Sequence, residues 1–174
     1  MTGSALLVVD MQRNLFEVEP GVHDGLELLG RVSGLIARAR LAGAPVIFVR
    51  NNGGPGDPDA PGTPGWELTP ALPRLSAEPI VDKKLPDAFE GTNLNGLLRA
   101  RGLRRVVVCG LQSELCIAAT CRGAAHRGYQ VTLVKDAHST FDASAEPATA
   151  IIARENAALA DVAEVLPGFA LRFD

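Results

Sequence analysis

Three residue types that can share one reaction are spread along this chain. Asp10 closes an apolar run, Lys83 and Lys84 form a basic pair after another, and Cys116 follows a third that breaks at Gly110. A carboxylate can take a thiol proton, an ammonium can hold thiolate and carboxylate together, and sulfur is a soft nucleophile; together they suit cleavage of a carbonyl–nitrogen bond. Each has a plainer reading alone. A lone Cys at a helix start is most often a small buried hydrophobe, Asp10 can cap a turn, and a lysine pair can be a solvated strand end. The chemistry depends on whether the fold gathers them.

The stretch 104–127, RRVVVCGLQSELCIAATCRGAAHR, carries the thiol. Val106, Val107 and Val108 are β-branched and read as a buried strand, residues 115–125 favour helix, and the turn lies at 110–114. Cys116 then falls in a first helical turn, where unpaired N–H groups and the helix dipole lower a thiol's pKa and can hold an oxyanion. Residues 5–10, ALLVVD, read as a central parallel strand buried on both faces. An amphipathic helix over 25–42 stops at Gly43, and PVIFVR at 45–50 is a second strand. Residues 51–77 form a long Gly- and Pro-rich loop with at most a turn of helix near 69–75. Loops that long are usually functional. A short strand at 79–83, a helix at 92–101 with Thr92 as N-cap, a strand at 129–136, a helix at 146–159 and a strand at 162–166 complete the chain.

Strict alternation of strand and helix predicts a six-stranded parallel sheet covered on both faces, a three-layer α/β/α sandwich, and the strand order considered for it is 3-2-1-4-5-6. Ligands of such sheets bind beyond the carboxyl ends of the strands, where strand order reverses, and Asp10, Lys83 and Cys116 all lie at such ends. Asp10 and the turn before Cys116 would be neighbours roughly 5 Å apart; Lys83 would start about two strand spacings away and must lean in. At 174 residues and 47% hydrophobic, the chain reads as one domain, 1–174. A net charge of −3 with scattered basic residues leaves no footprint for nucleic acid or an anionic membrane. Three cysteines at no zinc spacing read as reduced thiols, and a start without a basic region followed by an apolar segment points to the cytoplasm.

LLVVDMQRNLF, KKLPDAFEGTNL and VVVCGLQSELCIAATCRGAAHRGYQVTLVKDAHST resemble the isochorismatase-like cysteine hydrolases over almost the whole chain. That resemblance places the family's Asp, Lys and Cys on Asp10, Lys83 and Cys116, with Gly110, Ser113, Glu114, Phe89 and Thr92 in their expected positions. The count of six residues back from Phe89 selects Lys83 over Lys84. The resemblance implies a covalent thioester mechanism, a cis Leu111–Gln112 peptide, oxyanion donors in the backbone N–H groups of Gln112 and Cys116, no organic cofactor and a homodimer or homotetramer. The nicotinamidase branch carries an Asp-x-His metal motif where this chain reads RNNGGPGDPD, and His23, His126 and His138 are not spaced with a carboxylate for a site, so no metal is expected. Members that hydrolyse isochorismate cleave a vinyl ether without a thiol nucleophile, so Cys116 favours a small-molecule amide. Ether hydrolysis, or a non-enzymatic binding role on the same scaffold, is the alternative. Phe16, Trp66 and Gln12 are candidates for substrate binding. Cys109 and Cys121 read as structural, His138 as a turn histidine bonded to backbone, and Asp57 and Asp59 as solvated.

Overall fold

The computed structural model describes residues 3–173. Strand β1 (Ser4–Val9) is buried along its whole length. Its alternate side chains enter two separate cores: Ala5, Leu7 and Val9 one, Leu6 and Val8 the other. A strand so divided must have layers on both faces. Strand β2 (Val46–Asn51) pairs with one side of β1 and leads to edge strand β3 (Ile80–Lys83); β4 (Arg105–Leu111), β5 (Gln130–Ser139) and β6 (Glu164–Leu166) follow on the other side. All pairings are parallel and the order is 3-2-1-4-5-6, as expected. A short helix α1 (Arg13–Phe16) follows β1, and α2 (Gly25–Leu41) covers one face through Leu28, Val32, Leu35, Ile36 and Ala39. Helices α3 (Leu94–Ala100) and α4 (Ala118–His126) close the other with Leu94, Leu98, Cys121 and Ala124, and α5 (Ala148–Ala158) precedes β6. No helix among the described residues is long and apolar enough to cross a membrane.

Several boundaries differ from the sequence expectation for local reasons. Helix α3 starts at Leu94 with Asn93 as its cap; the Thr92 hydroxyl instead donates to the Ala88 carbonyl at 2.6 Å and accepts from Leu94 N at 3.2 Å, closing the turn before it. In the long loop the helical turn is Pro64–Trp66, where Thr63 Oγ1 accepts from Trp66 N and proline occupies the start. Residues 69–75 form only turns, since Pro73 biases the residue before it away from helix.

The largest departure lies at the end of β4. The strand does not break at Gly110 but runs on to Leu111, and β5 runs on with it, Gly110 pairing with His138 after a register shift. Gly110 has φ +120°, and a Cβ there would lie 2.0 Å from the Val9 carbonyl oxygen. Only glycine lets β4 press this closely on the end of β1.

Candidate active site

Asp10 follows β1 directly, its N–H donating to the Val49 carbonyl at 2.9 Å. Its φ of +49° is left-handed, a conformation Asp tolerates better than most residues, and its carboxylate is buried. Lys83 ends β3 opposite Asn51 of β2. Its side chain is fully buried and spans the distance that the strand order imposes. The ammonium lies 2.9 Å from Asp10 Oδ2 and donates to Cys116 Sγ and Asn51 Oδ1, both at 3.1 Å. Three N–H groups thus meet three acceptors. Strand alternation sends Lys84 the other way, exposed, to the rim of the cleft.

Cys116 sits in a wider turn than a first α-helical turn. The Leu111–Gln112 peptide is cis, and Ser113–Ile117 forms a π-helical turn, with Ile117 N donating to Gln112 O at 3.1 Å, before α4 begins. Single π turns are frequent at functional sites. Ser113 Oγ lies 2.8 Å from His138 Nδ1, whose ring is anchored on its other side at 3.1 Å from Asn156 Oδ1. Glu114 Oε1 accepts from Thr140 Oγ1 at 2.8 Å. The turn is therefore held from β5 and the segment beyond it. His138 is buried and bonds side chains, not the backbone expected for it.

Burial pushes the Cys116 thiol up to about 12, with Asp10 raising it further and Lys83 opposing. This corrects the expectation of a thiol acidified by a helix start. Desolvation together with the Asp10 charge outweighs the pull of Lys83, so the sulfur carries its proton at neutral pH. Burial likewise raises the Asp10 pKa, against the pull of Lys83. For Lys83 burial works downward, but Asp10 and Cys116 together outweigh it and the ammonium is raised. Asp10 Oδ1, unlike Oδ2, has no hydrogen-bond partner.

A cleft of about 320 Å³ opens over this group, walled by Asp10, Asn51, Asp59, Gln112, Leu115 and Cys116 among others. Gln12 also lines it, but its amide is spent on backbone: Nε2 donates to Asn51 O at 3.0 Å and Trp66 O at 3.1 Å, and Oε1 accepts from Asn51 N at 2.7 Å. It fastens the long loop to β2. Phe16 and Trp66 are not among the lining residues. Phe16 turns its ring toward Gly25 and packs against the core that α2 covers, while Trp66 stacks on Arg50, whose Cζ is 3.3 Å from the ring centroid, and donates from Nε1 to Asn52 Oδ1 at 2.7 Å. Two residues were missed. Asn51 bonds Lys83, and Asp59, expected to be solvated, is half-buried in the wall with Oδ2 accepting from Asn51 Nδ2 at 2.7 Å. Nothing local in a Gly/Pro-rich loop marks one aspartate from the next. Cys109 and Cys121 are fully buried, one in each core. Among the described residues, no three of His, Cys, Asp and Glu are grouped so as to hold a metal.

A doubly wound parallel sheet with an acid, an amine and a thiol at its topological switch point defines the class. Comparison with known proteins narrows it: residues 4–165 match the isochorismatase domain, and the chain belongs to that family. It is 46% identical over 143 residues to a streptothricin hydrolase of Streptomyces noursei, covering 82% of this chain and 52% of that protein. The chain thus spans about half the length of that relative. The crystal structure of an isochorismatase from Pseudomonas putida KT2440 matches with a TM-score of 0.91 and 31% identity, over 98% of this chain and 90% of that one. N-carbamoylsarcosine amidase from Thermoplasma acidophilum matches with a TM-score of 0.82 and 26% identity, over 99% of both chains.

Proposed function

We propose that this protein is a cysteine hydrolase that cleaves a carbon–nitrogen bond of a small amide through a thioester on Cys116. The observation that carries the reading is the ammonium of Lys83 standing 2.9 Å from the Asp10 carboxylate and 3.1 Å from the Cys116 sulfur beneath an open cleft. The family membership and the resemblance to an enzyme named an amidase support it.

Asp10 Oδ1, free of other donors, takes the thiol proton as Cys116 Sγ attacks the carbonyl carbon. Negative charge moves to the carbonyl oxygen, where the backbone N–H groups of Gln112 and Cys116 receive it. The tetrahedral intermediate expels the amine, which leaves with the proton held by Asp10. Water then gives a proton to Asp10 and attacks the thioester; the acid departs and the sulfur recovers the proton. Lys83 remains charged throughout, holding base and nucleophile in register.

The test is a panel of small amides assayed by amine or ammonia release, with isochorismate as an ether control, comparing wild type with Cys116→Ala. Turnover of at least one amide that the variant loses is the expected result. An active Cys116→Ala enzyme, on amide or ether, would leave the thioester without support. We further propose a single domain over 1–174 that works in the cytoplasm as a homodimer or homotetramer; Leu26, Leu41 and Phe169, exposed by 82%, 88% and 80%, supply apolar surface for association, and sedimentation at two concentrations checks it.

A further inference from the structure

The Lys83 ammonium is fixed by more than the acid and thiol it joins. Its third hydrogen bond goes to Asn51 Oδ1 at 3.1 Å, and the same side chain donates from Nδ2 to Asp59 Oδ2 at 2.7 Å. A primary amide has two faces, and only the carbonyl face suits an ammonium. A carboxylate on the far side accepts hydrogen bonds and cannot donate one, so it holds the NH2 group toward itself and the carbonyl toward Lys83.

A second observation, independent of these bonds, shows that the loop makes room for that carboxylate. A Cβ at Gly53 would lie 2.1 Å from Asp59 Oδ1, although Gly53 has no left-handed φ that would require glycine. The glycine is there for space. Gly53 N also donates to Asp59 O at 2.9 Å, so the loop closes on itself at this point. The negative charge of Asp59 also raises the proton affinity of Asp10, in the sense that helps a base.

We propose that Asp59 is a positioning residue, which acts through the Asn51 amide to fix the Lys83 ammonium between Asp10 and Cys116. This rests on the reading of those three groups as the reacting centre. Losing either partner lets the amide turn or vanish, and Lys83 then has two acceptors for three N–H groups and samples other rotamers. The defect belongs to the chemical step, so kcat should fall while KM holds.

The chain has three lysines, of which Lys84 and Lys135 are exposed, so a protected ammonium signal in protein labelled with 15N-lysine reports Lys83 alone. Wild type should show that signal. In Asp59→Ala and Asn51→Ala its hydrogen exchange should quicken at least tenfold, and amide turnover should lose roughly tenfold in kcat with KM within about twofold. The double variant should be no slower than the worse single one, because both act on the same contact. Asp59→Asn, which keeps an acceptor of the same shape, should recover part of the loss, and Gly53→Ala should mimic Asp59→Ala. An unchanged Lys83 signal in Asp59→Ala, single losses that multiply in the double variant, or a loss confined to KM would overturn the proposal. The NMR readout needs no substrate, so it judges the positioning role even if Cys116→Ala proves active and the reading of the reacting centre fails.

Discussion

A thiol that keeps its proton until the substrate arrives sets the pH behaviour of this centre. Asp10 must be ionised to receive that proton, and burial lifts its pKa above the ordinary 3.8. Turnover of an amide should therefore rise with pH along a limb lying above that of an exposed carboxylate, then stay flat. Lys83 is raised above 10.5, so the ammonium is retained across the plateau. A kcat/KM profile that climbs tenfold per unit through neutrality would mean that a preformed thiolate is the nucleophile. With the Cys116 thiol at about 12, its alkylation by iodoacetamide should itself rise about tenfold per pH unit from neutral to alkaline, while buried Cys109 and Cys121 stay unlabelled in the folded protein. Mass spectrometry of the labelled peptides reads both. Lys83→Met should lower turnover by roughly a thousandfold or more and destabilise the fold, because Asp10 is left buried without its cation. Lys83→Arg should not rescue it: a planar fork spreads its donors over three nitrogens and cannot direct three from a single atom toward Asp10, Cys116 and Asn51.

At the level of elements, the site exists because two strand ends come unusually close and a turn is pinned beside them. Gly110→Ala combines a φ of +120° with a Cβ 2.0 Å from the Val9 carbonyl oxygen, so the ends of β1 and β4 must part. A loss of roughly 3 kcal/mol or more in urea unfolding, with turnover abolished, is expected. His138 holds the π turn through Ser113 as a neutral ring. Burial lowers its pKa below 6.5, so as pH falls the unfolded chain takes up this proton before the folded one does. The stability it contributes is present above 6.5 and drains as pH drops through the folded value. His138→Gln should flatten the part of the Tm-against-pH curve that lies just below pH 6.5, measured beside wild type. An unaltered slope would mean that another group governs acid stability there.

Across the whole molecule, the two cores are not independent bodies, since adjacent residues of β1 belong to different ones. Neither layer can leave without exposing the other face of the same strand. The long loop is joined to this unit where Gln12 binds the backbone of Asn51 and Trp66. The one tryptophan, Trp66, should then report the same thermal midpoint as far-UV circular dichroism. A fluorescence transition several degrees below the loss of secondary structure would show the loop melting first, and Gln12→Ala should produce that separation if the clamp is what joins them.

The apolar runs, their β-branched residues and the glycines between them determined the alternation of strands and helices, and with it a parallel sheet covered on both faces; right-handed crossovers leave few strand orders, and packing selects 3-2-1-4-5-6 among them. Asp10, Lys83 and Cys116 were legible as strand-end residues, and the alternating pleat accounts for Lys83 pointing inward where Lys84 does not. What the tertiary structure decided was everything set by distance across the chain. The depth that keeps the thiol protonated and the turning of Phe16 away from the cleft come from packing across the sheet, while the place of Asp59 in the cleft wall, the work of Gln12 as a loop fastener and the removal of Trp66 from the lining depend on how a Gly- and Pro-rich loop lies over it. Such a loop has no hydrophobic period to fix its path; its course is settled by hydrogen bonds between residues far apart in sequence, such as Gln12 with Asn51 and Trp66.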